Sequence, residues 1–248
     1  MKKIVAILVF TTLLISCKPS EKKVDIYKNY PENIANVLKN HGGLANWKKL
    51  QVLSFNKGEE AHTVDLRSRK TVVNTPNYSL GFDGKEVWLS QQDSTAFKGN
   101  KDFYYNLYFY FYTMPFVLAD DGITYEETTP LTFNGVNYPG YKISYASNKG
   151  TSPDDNYFMY YNPETFQMEW LGYTVTYFSK QPSNKFNIIR YNDWNDVNGF
   201  LLPKSITWYK KGEDGQPTEP AKPATEFTLP LVSQAKLADS FYKKPVTE

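Results

Sequence analysis

The chain has 248 residues, with 28 lysines and arginines against 26 aspartates and glutamates, and it contains one cysteine. Loss of residues 1–16, which include Lys2 and Lys3, would leave 26 charges of each sign. A neutral chain of this kind has no electrostatic surface for nucleic acid, and a single cysteine cannot form an internal disulfide.

The amino-terminal residues have the pattern of an export signal. Two lysines precede an apolar run from Ile4 to Ile15, and the small residue Ser16 follows. The run is too short for a membrane-spanning helix, which needs ~20 apolar residues. Leu14-Ile15-Ser16-Cys17 resembles the signal of bacterial lipoproteins, in which the chain is cut before the cysteine and the cysteine is lipidated. An ordinary signal peptide would instead leave an unpaired thiol in an exported protein.

From this motif we predict three segments: a signal peptide at 1–16, a lipidated tether at 17–28 and a single domain at 29–248. Because no later segment is apolar enough to span a bilayer, the acyl chains on Cys17 would link the protein to the membrane. Each buried CH₂ contributes ~0.8 kcal/mol, so several chains would anchor it firmly. The predicted location is the cell envelope, at the outer membrane, on either its periplasmic or its surface face.

A helix is predicted to begin at Pro31, since proline is tolerated in the first turn, and to end at Gly42-Gly43. A further helical turn is predicted from Leu44 to Trp47. His41 would lie at the end of the first helix, where a positive charge is favourable. One face of that helix carries Ile34, Val37, Leu38 and His41.

From Leu50 onwards the apolar residues alternate with polar ones, which predicts strands separated by tight turns. Asn134-Gly135 is a strong hairpin signal, because both residues accept positive φ. The segment 212–225, rich in Pro, Gly and Lys, is predicted to be an exposed loop. The pattern therefore favours a mostly antiparallel sheet in one domain. The predicted strands are 50–57, 60–67, 69–75, 85–90, 123–132, 136–147, 156–161, 166–179, 185–194, 200–210 and 226–232.

An aromatic segment at 103–116 interrupts the strands, and its periodicity fits either a helix or a strand. As a helix it would present Phe103, Leu107 and Phe111 on one side, and Tyr104, Tyr108 and Tyr112, with hydroxyls at a cavity mouth, on another. Residues 116–121 could form a second short helix. The apolar side chains of the aromatic segment are candidates for lining a ligand cavity. The alternative is that they only fill the core. The candidate ligand-binding residues are Trp88, Phe103, Leu107, Phe111, Met114 and Phe116.

Two groups of residues resemble known lipoproteins. Gly42-Gly43-Leu44-Ala45-Asn46-Trp47, followed by a strand and by Asp83-Gly84-Lys85-Glu86-Val87-Trp88, resembles the opening of LolA/LolB-like lipoprotein carriers. The segment 113–122, together with Tyr191-Asn192-Asp193-Trp194 and Gly199-Phe200-Leu201-Leu202-Pro203, resembles an uncharacterised lipoprotein family from Bacteroidota. This second resemblance covers nearly the whole mature chain. That family has no assigned activity, so the resemblance implies none for this chain.

The LolA/LolB-like resemblance implies a mostly β fold. The expected architecture is a curved, unclosed antiparallel half-barrel of about eleven strands, with two or three helices on its concave side. It favours the helix interpretation of 100–113, because a helix that is apolar on all sides is normally buried on all sides. Carriers of this kind hold acyl chains in the concave cavity, although function inferred from fold is analogy.

Motifs for metal binding and catalysis are missing from the sequence. The two histidines, His41 and His62, do not make up a zinc site, and 193–199 lacks the spacing of a calcium loop and predicts a hairpin turn. No Gly-x-Ser-x-Gly elbow, Walker loop or dinucleotide fingerprint is present. We therefore predict no metal and no cofactor, and the missing motifs count against an enzyme.

Three functions stay open. The preferred one is a membrane-anchored lipoprotein that binds a lipid, an acyl chain or a lipoprotein anchor in its half-barrel cavity. The second is an enzyme acting on cell-envelope glycans or polysaccharide, which would need two carboxylates facing each other in a cleft. The third is a structural or assembly lipoprotein whose cavity is filled by its own side chains.

Overall fold

The computed structural model describes residues 25–145 and 155–246. The predicted signal peptide, Cys17 and the first part of the tether lie outside these residues. Two 3₁₀ turns, Phe116–Ala119 and Asp239–Tyr242, accompany the α-helices. The α-helices are α1 (Glu32–Asn40), α2 (Leu44–Trp47), α3 (Lys101–Tyr104) and α4 (Leu107–Tyr112).

The strands form two antiparallel sheets, in the orders β14-β1-β2-β3-β4-β5 and β12-β11-β10-β9-β8-β7-β6, with β13 also paired to β11. Their bounds are β1 (Val52–Lys57), β2 (Glu60–Asp65), β3 (Thr71–Asn74), β4 (Tyr78–Phe82), β5 (Val87–Gln91), β6 (Ile123–Phe133), β7 (Val136–Tyr145), β8 (Asn156–Tyr161), β9 (Met168–Tyr173), β10 (Asn187–Val197), β11 (Phe200–Lys211), β12 (Pro217–Pro220), β13 (Thr225–Glu226) and β14 (Thr228–Ser233).

A single bent segment, 225–233, joins the two sheets. Its first part pairs with β11 and its second part pairs with β1. Phe227 lies at the bend with 2% of its surface exposed, and its N–H donates to the Lys204 carbonyl at 2.8 Å. The two sheets therefore continue into one curved, open half-barrel, which confirms the predicted fold class.

The aromatic segment is helical and lies inside this curve. The rings of Tyr112 on α4 and Phe55 on β1 stack with centroids 4.1 Å apart, and Phe227 packs on both. The 3₁₀ turn that follows places Phe116 on Trp47 of α2, with centroids 4.2 Å apart and rings nearly parallel. Helices and turn thus fill much of the concave side with aromatic side chains.

Two strands were not expected from the sequence. β4 is unexpected because Gly81 and the turn before it weaken the strand pattern. A Cβ at Gly81 would come within 2.4 Å of the Trp88 ring on β5, so the glycine makes room for that side chain. β12 lies within the predicted loop at 212–225. It is an edge strand paired to β11 alone, a position that tolerates Pro217 and Pro220.

The expectation that His41 carries a positive charge at the end of α1 is wrong. The side chain is fully buried, and this burial lowers its pKa to about 4 despite the opposing effect of a backbone hydrogen bond at Leu201. Its Nδ1 lies 3.2 Å from the Leu201 carbonyl oxygen, and its Nε2 accepts the Met168 N–H at 3.0 Å. His41 is therefore a neutral link between α1, β9 and β11.

Candidate functional site

The aromatic cleft lies between the α3–α4 segment and the sheet, next to the carboxyl-terminal ends of β7 and β9 and the amino-terminal end of β8. Its empty volume is about 800 Å³, a figure that includes open solvent. The residues that line it are Asp102, Phe103, Asn106, Leu107, Tyr110, Phe111, Tyr145, Asp155, Tyr157, Tyr173, Thr174, Val175 and Tyr177.

The helical side of the cleft is apolar. Phe103, Leu107 and Phe111 recur every four residues, and this spacing keeps them on one side of the segment although α3 ends before α4 begins. The Asn100 side chain caps α3 by accepting the Phe103 N–H at 3.1 Å. Three of the six sequence-predicted ligand-binding residues are thus brought together in one wall.

These apolar residues differ in how firmly they are packed. Phe111 is 5% exposed, and its ring lies 5.2 Å from Tyr173 and 5.7 Å from Trp208 between centroids. Phe103 is half-buried, with its ring 5.0 Å from that of Phe178. Phe178 is 65% exposed. The cleft therefore has a packed inner end and an open, aromatic outer end.

The sheet side of the cleft carries tyrosines. Alternation along the strands turns Tyr145, Tyr157 and Tyr173 inward, and Tyr157 pairs in register with Tyr173. Burial, followed by the neighbouring Tyr145 and Asp155, raises the pKa of Tyr157 well above its usual value. Burial likewise raises the pKa of Tyr110 and of Tyr173. These phenols are therefore neutral groups that can both donate and accept hydrogen bonds.

Two carboxylates complete the lining. Asp155 accepts hydrogen bonds from the backbone N–H and the hydroxyl of Thr176, at 2.7 and 2.8 Å, and so holds the segment after β9 beside the cleft. Asp102 is ion-paired with Lys101 at 3.1 Å. Among the described residues that line the cleft, none is a lysine or an arginine.

The other three predicted ligand-binding residues lie elsewhere. Met114 and Phe116 are each 1% exposed within the main core. Trp88 belongs to a small separate cluster with Val72 and Tyr242, and its Nε1–H donates to the Tyr242 carbonyl at 2.8 Å. None of the three lines the aromatic cleft.

The tyrosines expected at the cavity mouth also lie elsewhere. They occupy a different side of the helical segment from Phe103, as predicted, but that side faces the first sheet. Tyr112 is fully buried, and Tyr104 donates to Glu60. The strand tyrosines that do line the cleft were not expected. The sequence could have placed Tyr157 on an inward face, because it lies two and four residues before Met159 and Tyr161 and so shares their side of the strand.

Glu60 is the centre of a buried polar network on that other side. Its carboxylate lies within 3.2 Å of polar atoms of Tyr104, Tyr78, His62 and Lys57. Burial alone would raise the pKa of Glu60, but the hydrogen bonds from His62 and Tyr104 and the Lys57 charge lower it to about 2. The network is fully paired, so we assign it to holding α3 against the sheet.

A second, charged cleft of about 680 Å³ lies beside α2 and the β2–β3 turn. Arg69 and Asp120 form an ion pair across it at 2.6 Å. Burial raises the pKa of Asp120, and the Arg69 charge opposes this shift. Lys48, Arg67 and Asp121 also line it, so charges of both signs meet there.

Over residues 25–145 and 155–246, no group of three or more histidine, cysteine or carboxylate side chains could hold a metal ion. In the same part of the chain, no helix combines the length and the apolar composition that are needed to cross a bilayer.

Solved structures that are similar to this chain share few of its residues. A LolA superfamily protein from Nitrosomonas europaea is 9% identical, covers 84% of this chain and 96% of its own, and has a TM-score of 0.39. A DUF1329 family protein from Desulfovibrio piger is 8% identical, covers 85% of this chain and 95% of its own, and has a TM-score of 0.45. No protein-family profile and no curated protein matches the chain. Similarity at this level does not identify a function.

Proposed function

We propose that this chain is a membrane-anchored lipoprotein that binds an apolar or amphipathic ligand, a lipid or an acyl chain, in the aromatic cleft. The observation that carries the proposal is the pairing of two unlike walls. Phe103, Leu107 and Phe111 offer apolar surface for a hydrocarbon tail, and four tyrosines opposite offer hydrogen bonds to a polar end, namely Tyr145, Tyr157, Tyr173 and Tyr177. Ligand sites are typically concave and mostly apolar with a few placed polar groups.

The proposed anchor is an acylated Cys17 in the outer membrane. Its support is the Leu14-Ile15-Ser16-Cys17 motif and the absence of any second cysteine in the sequence. A tether reaching residue 28 would place the domain next to the bilayer, the source of such ligands.

The glycan-enzyme alternative is less well supported, although the cleft does contain two carboxylates. A general acid needs a carboxyl group in a poorly solvated, unpaired environment. Asp102 is ion-paired with Lys101 at the surface, and Asp155 is bonded to Thr176. Both carboxylates therefore have structural partners already.

Binding of an uncharged fluorescent probe tests the proposal. N-phenyl-1-naphthylamine should gain fluorescence when added to the purified chain carrying Cys17→Ser, which needs no detergent and has no acyl anchor to compete. The variant Leu107→Trp should lower the affinity, since the larger ring would occupy the cleft from a half-buried position. Leu231→Trp is the matched control, because Leu231 is 52% exposed on β14, away from the cleft.

Equal probe affinity in Leu107→Trp and Leu231→Trp would show that the probe binds elsewhere. No fluorescence gain in the parent chain would leave the assembly-lipoprotein alternative ahead.

A further inference from the structure

The chain after β9 forms a rim, residues 174–186, at the outer end of the aromatic cleft. Val175 and Tyr177 of this rim line the cleft. The rings of Tyr177 and Phe178 both pack on Phe103 of α3, with centroids 5.2 and 5.0 Å away. The rim therefore touches the helical wall of the cleft at its opening.

A hydrogen-bonded turn within the rim presents Phe178 to solvent. The Lys180 N–H donates to the Thr176 carbonyl at 2.8 Å, and Thr176 is itself held by Asp155 through its N–H and its hydroxyl. Phe178 lies in the middle of this turn and is 65% exposed, and Val175 just before the turn is 36% exposed. Exposed apolar side chains that lie close together are typical of surfaces that meet a partner or a membrane.

The rim is also cationic. Between residues 171 and 189 the sequence contains two lysines, Lys180 and Lys185, and no aspartate or glutamate. Both lysines are exposed. Lys211 adds a third exposed positive charge, since its Nζ donates to the Phe186 carbonyl at 2.5 Å. Apolar rings and positive charges thus share one surface.

The two carboxylates that line the cleft do not cancel this charge. Asp102 forms an ion pair with Lys101 at 3.1 Å. Asp155 opposes the three lysines of the rim with a single negative charge and is directed at Thr176. The surface around Phe178 therefore keeps a net positive charge.

The proposed anchor would keep this end of the domain near a bilayer. Cys17 lies eight residues before Asp25, where the described chain begins, so the two are at most ~30 Å apart even in a fully extended chain. Tyr30 packs on Tyr125 of β6 with ring centroids 5.9 Å apart. β6 pairs with β7, whose last residue, Tyr145, lines the cleft.

We propose that residues 175–185 contact the surface of a bilayer that contains anionic lipids and so place the outer end of the aromatic cleft against the membrane. Phe178 would enter the boundary between headgroups and acyl chains, as exposed aromatic rings of peripheral proteins do, and the lysines would lie at the lipid phosphates. This contact goes beyond the proposed function and can be measured without any ligand in the cleft.

A label that brightens in apolar surroundings tests which segment meets the membrane. Cys17→Ser removes the only thiol, so Gln181→Cys in that chain gives one exposed site for a nitrobenzoxadiazole label, three positions after Phe178. The label should brighten on vesicles of phosphatidylcholine with phosphatidylglycerol and much less on phosphatidylcholine alone. High salt should release the contact, because ions screen the lysines, so the contact does not replace the acyl anchor.

Ser240→Cys in the same Cys17→Ser chain is the matched control label. It lies next to Phe241, which is 43% exposed and is soon followed by the exposed Lys243 and Lys244. This site has the same residue types as the rim, but it lies outside the cleft lining. Its label should stay dim on both kinds of vesicle.

Phe178→Ser should raise several-fold the lipid concentration that half-saturates the signal of the Gln181→Cys label. Phe241→Ser is the matched control and should leave that concentration unchanged. Both side chains are exposed, so both variants are expected to fold.

The double variant Lys180→Gln with Lys185→Gln should raise the same concentration by roughly tenfold or more, since one basic residue near an anionic bilayer changes the affinity about fivefold. Lys243→Gln with Lys244→Gln is the matched control for charge and should have little effect.

Equal brightening of the two labels, or none at position 181, would overturn the inference. Equal effects of the test and control variants would overturn it as well, and so would equal brightening on the two kinds of vesicle. These outcomes are separate from the proposed function. Failure of N-phenyl-1-naphthylamine to bind would remove that function, while a membrane contact measured at the rim would still stand.

Discussion

The hydroxyl of Tyr104 on α3 donates to the carboxylate of Glu60 on β2, 2.7 Å from Oε1 and 2.9 Å from Oε2. This contact joins residues 44 positions apart and ties the start of the aromatic segment to the first sheet. Because Phe103 is the residue immediately before Tyr104 and lines the cleft, the same contact also fixes one end of the proposed ligand site.

Tyr104→Phe is therefore expected to lower the free energy of unfolding by roughly 1.5–3 kcal/mol, the range for a hydrogen bond to a charged group. Denaturant unfolding would measure the change. Tyr105→Phe is the matched control, because that neighbouring ring packs on Phe82 and its hydroxyl makes no hydrogen bond to any described residue. Its effect should stay within about 0.5 kcal/mol, and equal effects for the two variants would contradict the role of Glu60.

His41 should make the protein less stable in mild acid. Burial lowers its pKa from 6.5 to about 4 in the folded chain, so between these values the unfolded chain binds a proton that the folded chain does not. The free energy of unfolding should fall by about 3 kcal/mol as the pH drops through this window, and the contribution should be constant above it.

The variant His41→Gln tests this titration directly. Its amide can donate to the Leu201 carbonyl and accept from the Met168 N–H, as the imidazole does, but it does not titrate. Unfolding midpoints measured between pH 4 and pH 7 should therefore decline less for the variant than for the parent chain. Parallel curves would assign the acid sensitivity to other groups.

The sequence predicted those elements that depend only on residues close together in the chain. The spacing of Ile34, Val37 and Leu38 gives α1 its buried face. The positive φ angles of Asn134 and Gly135, 50° and 78°, make the turn between β6 and β7. Such features depend on neighbouring residues, so the sequence displays them directly.

The composition of the cleft depended on contacts between distant residues and could not be predicted. Alternation shows that Tyr145 and Tyr157 each lie on the same side of their strand as the residues two positions away. Only the curvature of the whole sheet makes that side concave. Trp88 finds its hydrogen-bond partner 154 residues later, at Tyr242. A lone tryptophan beside a turn carries no local sign of such a partner.

Trp88→Phe is expected to lower the stability of the protein without changing its affinity for the ligand. It leaves the buried Tyr242 carbonyl without its donor, a loss of about 1–3 kcal/mol, and should expose the end of the chain to proteases. Probe affinity should stay at the parent value, since Trp88 does not line the cleft. A large loss of affinity without a loss of stability would place Trp88 in the ligand site after all.

Phe111 and Phe103 should respond differently to truncation, although both line the cleft. Phe111→Ala removes a ring packed against Tyr173 and Trp208 and should lower the free energy of unfolding by ~3–5 kcal/mol. Phe103→Ala removes a half-buried ring and should lower it by only about 1 kcal/mol, while weakening probe binding. Denaturant midpoints and probe titrations on both variants would show the contrast, and similar stability losses would contradict the two-ended description of the cleft.

The proposed anchor predicts where the protein is found in the cell. Cys17→Ser removes the only thiol, so the variant cannot be acylated there and should leave the membrane fraction, whereas the parent chain should sediment with membranes after a salt wash. Moving the thiol, with Cys17→Ser combined with Ser20→Cys, is the matched control: it keeps one cysteine near the amino terminus but removes it from Leu14-Ile15-Ser16-Cys17. If the motif directs acylation, both variants are soluble and only the parent gains the mass of acyl chains. If either variant stays with washed membranes, a contact other than a lipid on Cys17 holds the protein there.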